Sequence, residues 1–273
     1  MSEENYIGED GLLYCGVCHE PKEALWENGE AIFGSDRHPR PCRCERERQA
    51  NGEQKLREIH HRLRVAELRR NCFAYPAMYS WTFANASIQT ERLAQCRHYV
   101  ENWSTVSTQN AGLLFWGDVG TGKTYLAACI ANALIEQEIP VRMTNLAVVI
   151  NHGFEDREGY IHRLCSCPLL ILDDLGMERD TKFGLETIYD VIDGRYLSGK
   201  PLIVTTNLTL RELQKETDLD KRRIYDRVLT MTTPLFFGRE NLRSAGKNQK
   251  MALMKKLIAE PERRNHENER HLV

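Results

Sequence analysis

The stretch GDVGTGKT, from Gly117 to Thr124, constrains the fold of this chain more than any other feature. It has the phosphate-binding pattern of a glycine, four residues and then Gly-Lys-Thr. An apolar run, LLFW, precedes it, and a helix-forming stretch, YLAACIANALI, follows. Glycines suit a loop whose backbone N–H groups curl around a phosphate, since no Cβ blocks the approach and the helix N-terminus favours negative charge. The sequence therefore predicts a strand, a loop and a helix that bind ATP.

Individual side chains of this loop have separate expected roles. Lys123 would neutralise the β- and γ-phosphates, and the hydroxyl of Thr124 would bind Mg²⁺. A glycine-rich turn with a chance Lys-Thr is the other interpretation, and the strand–loop–helix context argues against it. The residues predicted to surround the nucleotide are Gly117, Asp118, Val119, Gly120, Thr121, Gly122, Lys123 and Thr124.

Two more apolar runs end in polar residues. In LLILDD, Asp173 would bind Mg²⁺ and Asp174 would polarise the attacking water. The run LIVTTN ends at Asn207, which we expect between the two motifs, orienting the water or sensing the γ-phosphate. Taken singly, an acidic pair or a terminal asparagine is also typical of a turn or a helix cap. Together with the loop, they predict a catalytic ATP site.

Apolar runs alternate with amphipathic stretches from Gly112 onward, which predicts an α/β fold with a five-stranded parallel sheet between two layers of helices. A helix is expected over about residues 90–103, ahead of the first strand. No apolar run approaches the roughly 20 residues that cross a bilayer. The predicted strands are Leu113–Trp116, Val141–Thr144, Leu169–Leu172, Leu202–Thr205 and Pro234–Phe237.

The nine cysteines and the near-neutral net charge of -2 further limit the class of protein that this sequence can encode. The opening residues, MSEENYIGED, lack the basic and apolar pattern of a secretory signal, so we expect a protein of the reducing cytoplasm. The cysteines are then thiols or metal ligands. The balanced charge argues against a histone-like nucleic-acid binder, so local basic patches would have to provide any DNA contact.

Four cysteines fall within residues 1–44, a segment too poor in apolar residues to form a core of its own. A tetrahedral Zn²⁺ held by thiolates is the usual way to stabilise such a segment in a reducing compartment. Unliganded thiols or a redox pair are the alternatives. The predicted zinc ligands are Cys15, Cys18, Cys42 and Cys44, with His19 and His38 as substitutes.

Residues 45–72 are highly charged and carry four aliphatic residues at helical spacing: Leu56, Ile59, Leu63 and Leu68. We predict a helix here that links the zinc-binding module to an ATPase domain. That domain is expected over residues 73–247, and residues 248–273 are expected to form a helix and a disordered tail.

These motifs together resemble the DnaC/IstB group of AAA+ ATPases from about Trp81 to Arg243. The resemblance implies an AAA+ fold, an oligomeric active form and an arginine finger within RRIYDR. Arg223 would be this finger, with Arg222 and Arg227 as near-equivalent choices, and Arg243 would be the sensor arginine. The stretches that carry the resemblance are GLLFWGDVGTGKTYLAACIANALI, PLLILDDLG, YDVIDGRYLSGKP, VTTN, RRIYDR and GRENLR.

The resemblance also implies partners. In DnaC-like loaders, the segment after the acidic pair lines a path for single-stranded DNA, which here indicates Thr181, Lys182 and Phe183. Loaders of the Gram-positive type have an N-terminal zinc module that contacts the replicative hexameric helicase. The expected function is therefore an ATP-hydrolysing helicase loader. Asp174 stands where many AAA+ proteins have Glu, so we expect slow hydrolysis.

Three other functions remain open. An IstB-like transposition helper would share the ATPase core but assemble on duplex DNA with a transposase. A binding adaptor would use ATP only to stabilise its fold. A metabolic kinase needs the phosphate loop but has no need of Asn207 or RRIYDR.

Overall fold

The computed structural model describes residues 4–26, 35–86, 89–152, 156–176 and 181–238, together with Met251 and Met254. The chain divides into two compact units, Met1–Ala66 and Glu67–Val273. Of the segment expected to form a C-terminal helix and tail, residues 248–273, all but these two methionines lie outside the described residues. Among the described residues, no helix has the length and apolar character that a bilayer span requires.

The first unit contains two small antiparallel hairpins. Strands β1 (Tyr6–Ile7) and β2 (Leu13–Tyr14) form one, and β3 (Glu23–Leu25) and β4 (Arg37–Pro39) form the other. The buried apolar side chains that the structure describes in this unit are Cys15, Cys42 and Val65. Two of the three are cysteines, so apolar burial alone contributes little to the stability of these hairpins.

Helix α1 (Arg43–Cys72) is 30 residues long, so a helix is present over the predicted residues 45–72 and begins two residues earlier. Cys42 begins it: the carbonyl of Cys42 accepts from the backbone N–H groups of Glu45 and Arg46, and the side chain of Glu45 accepts from the N–H of Cys42 at 3.2 Å. Such reciprocal bonds satisfy donors that a helix start otherwise leaves open.

The second unit has a five-stranded parallel sheet, which confirms the predicted fold class. Each predicted strand is present and slightly longer than expected, because the pairing between strands continues into the residues that flank each apolar run. The strands are β5 (Gly112–Gly117), β6 (Val141–Asn145), β7 (Leu169–Leu175), β8 (Leu202–Thr206) and β9 (Thr232–Phe237).

Helices connect the strands. The helix expected over residues 90–103 is present as two helices that meet at Asn102. A short 3₁₀ helix, Pro76–Ser80, comes earlier. The α-helices of this unit are α2 (Glu91–Glu101), α3 (Trp103–Thr108), α4 (Lys123–Glu136), α5 (Leu146–His152), α6 (Arg157–Ser166), α7 (Lys182–Ser198), α8 (Leu210–Gln214) and α9 (Leu219–Met231).

The strand order across the sheet is β6, β7, β8, β5, β9. Strand β8 therefore lies between β5, which leads into the glycine-rich loop, and β7, which ends in the acidic pair. The carboxyl ends of these three parallel strands meet at one edge of the sheet, where ligands of open α/β sheets bind. Strand β8 is buried along its whole length, as expected of a central parallel strand.

Asn132, a residue of α4, holds the segment that follows α1 against α4. Its side-chain amide is buried and donates to the carbonyls of Met78 and Trp81, each at 2.9 Å, while its oxygen accepts from Arg69 at 3.2 Å. Tyr125, on the same helix, donates to the carbonyl of Thr82 at 3.1 Å. A fully satisfied buried amide specifies one packing arrangement, so the segment before α2 is held against the helix that follows the phosphate loop.

Arg195, in α7, is completely buried, and its guanidinium bonds to a set of backbone carbonyls. It donates to Cys165 at 3.0 Å, Cys167 at 2.7 Å, Pro168 at 2.9 Å and Pro201 at 3.2 Å. These carbonyls lie shortly before β7 and β8, so one side chain joins the starts of the two central strands. The planar five-donor fork of arginine suits this arrangement, and the three donors of lysine would not span it.

We expect Arg195→Met and Arg195→Lys each to lower the free energy of unfolding by about 3 kcal/mol or more, because several buried carbonyls lose their partner. Urea unfolding of the full chain measures this. Arg163→Met is the matched control: Arg163 lies on the surface in an ion pair with Asp156 at 3.1 Å, a type worth roughly 0–1 kcal/mol. Equal effects at the two sites would show that the carbonyl bonds of Arg195 contribute little.

Candidate nucleotide-binding site

The glycine-rich loop runs from the end of β5 to the start of α4. Gly117, Gly120 and Gly122 have φ values of 127°, 84° and 92°, in the region that favours glycine. A Cβ on Gly117 would also lie 2.1 Å from the carbonyl oxygen of Phe237, at the end of the neighbouring strand β9. Glycine is therefore required here both by the backbone conformation and by the close approach of β9.

Lys123, the first residue of α4, is buried inside this loop. Its Nζ donates to the carbonyl oxygens of Gly117 and Asp118, each at 2.8 Å. These bonds compensate the burial of an ammonium group, which is costly without partners. The positive charge is thus held at the position where the backbone N–H groups of the loop and the N-terminus of α4 also favour an anion.

The carboxylate of Asp173 lies directly beside the loop. Its Oδ1 accepts from the hydroxyl of Thr124 at 3.0 Å and from the hydroxyl of Thr205 at 2.6 Å. Burial raises the pKa of this carboxyl above its ordinary value, while the bond from Thr205 opposes the shift and the charge of Asp174 adds to it. Thr124 and Asp173, the two expected magnesium ligands, are therefore adjacent.

Asp174 occupies an irregularity of β7. The pairing register of β7 with β8 shifts between Leu172 and Leu175, and Asp174 has a φ of 60°. Aspartate tolerates this left-handed conformation better than most residues. Its backbone N–H donates to the Thr205 hydroxyl at 3.0 Å, and the residue is exposed. The bulge therefore gives the two carboxylates different surroundings: Asp173 bonds to the residue that ends the loop, and Asp174 is open to solvent.

Thr205 is the functional residue that the sequence interpretation missed. Its hydroxyl donates to Asp173 and accepts from the N–H of Asp174, so it fixes both acidic residues. Strand alternation could have indicated it, because residues two apart lie on the same side of a strand and Asn207 is a candidate from the sequence. Asn207 follows β8 and is partly buried.

The candidate arginine fingers lie on α9 in different surroundings. Arg222 and Arg223 are exposed. Arg227 instead forms an ion pair with Asp193 of α7 at 2.6 Å, and its guanidinium lies 4.8 Å from the ring centre of Tyr196. Arg227 thus contributes to the packing of α9 on α7, which leaves Arg222 and Arg223 as the exposed choices. Arg243, the expected sensor, lies outside the described residues.

The candidate DNA-binding residues form the start of α7. The hydroxyl of Thr181 accepts from the N–H of Gly184 at 3.1 Å and so caps the helix. Lys182 is exposed. Phe183 is partly buried, and the guanidinium of Arg157 lies 5.6 Å from its ring centre. The structure therefore gives Thr181 a local structural role and places a second cation next to the aromatic ring.

The cysteines of the first unit form a cluster. The Sγ atoms of Cys15, Cys18 and Cys42 all lie within 4.8 Å of one another, as sulfur ligands of one tetrahedral ion would. The thiol of Cys44 interacts with that of Cys18, which raises the pKa of Cys44 to about 11. The substitute ligands are engaged elsewhere.

Both histidines contact aromatic residues. His19 lies 3.2 Å from the hydroxyl of Tyr6, and the ring of His38 lies 4.5 Å from that of Trp26. Neither belongs to the cysteine cluster that the described residues form.

Residues 45–249 match the family model of IstB-like ATP binding proteins. The chain belongs to this family. The match covers the glycine-rich loop, both acidic residues and α9, so the family resemblance found in the sequence is confirmed and the chain is an ATP-binding protein of the IstB/DnaC group.

Several known proteins are similar to this family member. The replicative helicase loader DnaC of Escherichia coli K12 is 25% identical over 215 residues, which are 74% of this chain and 81% of that protein. A putative ATP-binding protein in an insertion sequence of Mycobacterium tuberculosis is 34% identical over 100 residues, 35% of this chain and 40% of that protein. The crystal structure of DnaI superposes with a TM-score of 0.52 at 19% identity, covering 63% of this chain and 95% of that one. The last comparison concerns the fold alone.

We expect Asp173→Asn to raise the melting temperature measured without nucleotide at neutral pH. Asparagine keeps an oxygen that accepts from the two threonines and removes a charge that burial disfavours. Because the folded-state pKa is raised, the cost of the charge is complete above that pKa and disappears as the pH falls toward the ordinary value of 3.8.

The advantage of the asparagine variant should therefore shrink as the pH is lowered from neutrality toward the ordinary pKa of 3.8, which differential scanning fluorimetry can follow. Asp226→Asn, which removes an exposed carboxylate on α9, is the matched control and should show no such trend. A variant less stable than wild type across this range would contradict a costly buried charge.

Proposed function

We propose that this protein is an ATP-hydrolysing accessory factor of DNA replication that loads a replicative helicase and binds single-stranded DNA. The observation that supports it is the direct connection between the Lys123 loop and the Asp173 carboxylate through Thr124. Positioning and electrostatic stabilisation supply nearly all the catalysis in phosphoryl transfer, and this network provides both.

Each side chain of the site would have a separate role in ATP hydrolysis. Lys123 would neutralise the β- and γ-phosphates of ATP, while Thr124 and Asp173 would hold Mg²⁺, which would offset phosphate charge. Asp174, exposed beside the network, would accept the proton of the attacking water, and Asn207 would orient that water. Aspartate is shorter than glutamate, so we expect slow turnover, as in an ATP-timed switch.

A finger arginine would make the active form an oligomer. Arg223 is exposed on α9, whereas Arg227 is engaged with Asp193 and Tyr196. Arg223 is therefore the arginine we propose to enter the ATP site of a neighbouring subunit, where such a group contributes about 10³–10⁵ in rate. Arg243 would act as sensor within its own subunit.

The start of α7 would contact single-stranded DNA. Lys182 would attract phosphates and Phe183 would offer a ring for base stacking, with Arg157 as an additional cation against that ring. Thr181 would act through its cap on the helix rather than as the main contact. Zinc held by Cys15, Cys18, Cys42 and Cys44 would stabilise the N-terminal module, which we propose contacts the helicase.

The transposition helper is the second candidate. The similarity to the insertion-sequence protein covers 35% of this chain, whereas the similarity to DnaC covers 74%, which favours the loader. An adaptor without turnover would not need the Thr205 network, which holds both acidic residues in place.

ATP hydrolysis by the full chain, with and without single-stranded DNA, tests the proposal. We expect DNA to change the rate, and Lys123→Ala and Arg223→Ala each to lower it by about 10³-fold or more. Arg211→Ala, on the exposed surface of α8, is the matched control and should behave like wild type.

Mixing the two inactive variants tests the finger separately. A mixed oligomer pairs an intact Lys123 with an Arg223 supplied by the neighbour, so part of the activity should return. A finger acting within its own subunit would give no recovery. Absence of hydrolysis would favour the adaptor, which would still gain thermal stability from ATP, and hydrolysis indifferent to DNA would contradict the proposed role of DNA.

Zinc removal tests the N-terminal module. We expect about one zinc ion per chain by elemental analysis. Cys15→Ser and Cys42→Ser should lose it and make residues 1–66 more sensitive to proteolysis, because a structural metal supplies folding energy. His19→Ala and His38→Ala are the controls and should keep it. Zinc loss in a histidine variant would show that the fourth ligand is not Cys44.

A further inference from the structure

Helix α1 carries an exposed apolar stripe within the first unit. Leu56, Ile59 and Leu63 are 57%, 48% and 63% exposed, and Ala66 on the same line is exposed as well. Spacings of three, four and three residues place these side chains on one face, as at the a and d positions of a heptad repeat. We call Leu56, Ile59, Leu63 and Ala66 the α1 seam.

The α1 seam is distinct from the face that the helix buries within its own chain. Val65, Leu68 and Cys72 are 5%, 5% and 3% exposed. At about 100° per residue, these three lie roughly opposite the seam. The sequence pattern groups Leu68 with the seam residues, but the structure separates them. A line of aliphatic side chains that stays largely exposed in the part of the chain that the structure describes is typical of an interaction surface.

The charges beside the α1 seam indicate what covers it. With Leu56 at an a position, the g positions hold Arg48, Lys55 and Arg62, all basic. The e positions hold Glu53, His60 and Glu67. Two parallel copies place each g residue opposite the e residue five positions later, which pairs Arg48 with Glu53 and Arg62 with Glu67 and leaves Lys55 opposite His60.

An antiparallel pair would instead place the basic g residues Lys55 and Arg62 against each other, and it would not bring Arg62 to Glu67. We propose that the α1 seam forms a parallel two-stranded coiled coil with a second copy of this chain. The charge complementarity is the reason for choosing a second copy as the partner of the α1 seam. The contact does not depend on the ATP site.

The contact should be weak by itself. The preceding a and d positions hold Gln49 and Gly52, so the apolar seam spans only two heptads. Its buried area is well below the roughly 1,200 Å² of a stable specific interface, so we expect a dissociation constant on the order of 10–100 µM. A contact of this strength would add to assembly through the ATP sites by raising the effective concentration of neighbours.

Sedimentation equilibrium of the full chain without nucleotide tests the proposal. We expect a monomer–dimer equilibrium that Leu56→Glu with Leu63→Glu weakens by at least about tenfold, since four acidic groups would meet in the dimer seam. Both leucines are already largely exposed, so the substitutions should leave the fold intact, as circular dichroism can verify. Asn51→Glu with Gln54→Glu adds the same charge off the seam and is the matched control.

Orientation is tested by a photoreactive phenylalanine derivative in place of Leu56. In a parallel pair it should attach to residues 55–60 of the second copy, and in an antiparallel pair to residues near 66. A wild-type chain that stays monomeric at about 100 µM, a dimer that survives the seam substitutions, or attachment near residue 66 would each overturn the proposal. If the wild-type chain is monomeric and the seam substitutions abolish helicase binding, the α1 seam is a binding surface for the helicase instead.

Discussion

One carboxylate oxygen joins the parts of the ATP site. Oδ1 of Asp173 accepts from Thr124 at the start of α4 and from Thr205 on β8, so the phosphate loop and two central strands meet at a single atom. This convergence requires β8 between β5 and β7. With β7 directly beside β5, Thr205 could not reach both the carboxylate and the backbone of Asp174. The strand order is therefore a condition of the site geometry as well as of the packing.

The same edge of the sheet contains several features that are energetically costly. It contains a buried ammonium at Lys123, a largely buried carboxylate at Asp173 and a left-handed backbone at Asp174. Such features cost free energy and persist only where the surroundings determine them fully. The opposite edge contains Arg195, whose carbonyl bonds fix the starts of β7 and β8. The costly features at the strand ends are therefore accompanied by a fully hydrogen-bonded arrangement at the strand starts.

The sequence is informative wherever a pattern is local. The glycine loop, the five strands and the charged helix each follow from short-range spacing, and the structure has them all. The bulge at Asp174, the role of Thr205 and the carbonyl bonds of Arg195 depend on neighbours about 30 residues away, which no local pattern encodes. The sequence interpretation places Leu68 on one stripe with Leu56, but twelve residues correspond to about 120° of helical rotation, so the two lie on different faces of α1.

In the proposed function, helix α7 would link DNA binding to hydrolysis. Its first turn carries Lys182 and Phe183, and its last turns hold α9 through Asp193 and Tyr196, which engage Arg227. The proposed finger, Arg223, lies one turn earlier on α9. Because a helix transmits displacement along its axis with little bending, a strand bound at the start of α7 would shift α9 and the finger together. In the proposed function, the ion pair between Arg227 and Asp193 would couple the exposed Arg223 to DNA bound at the start of α7.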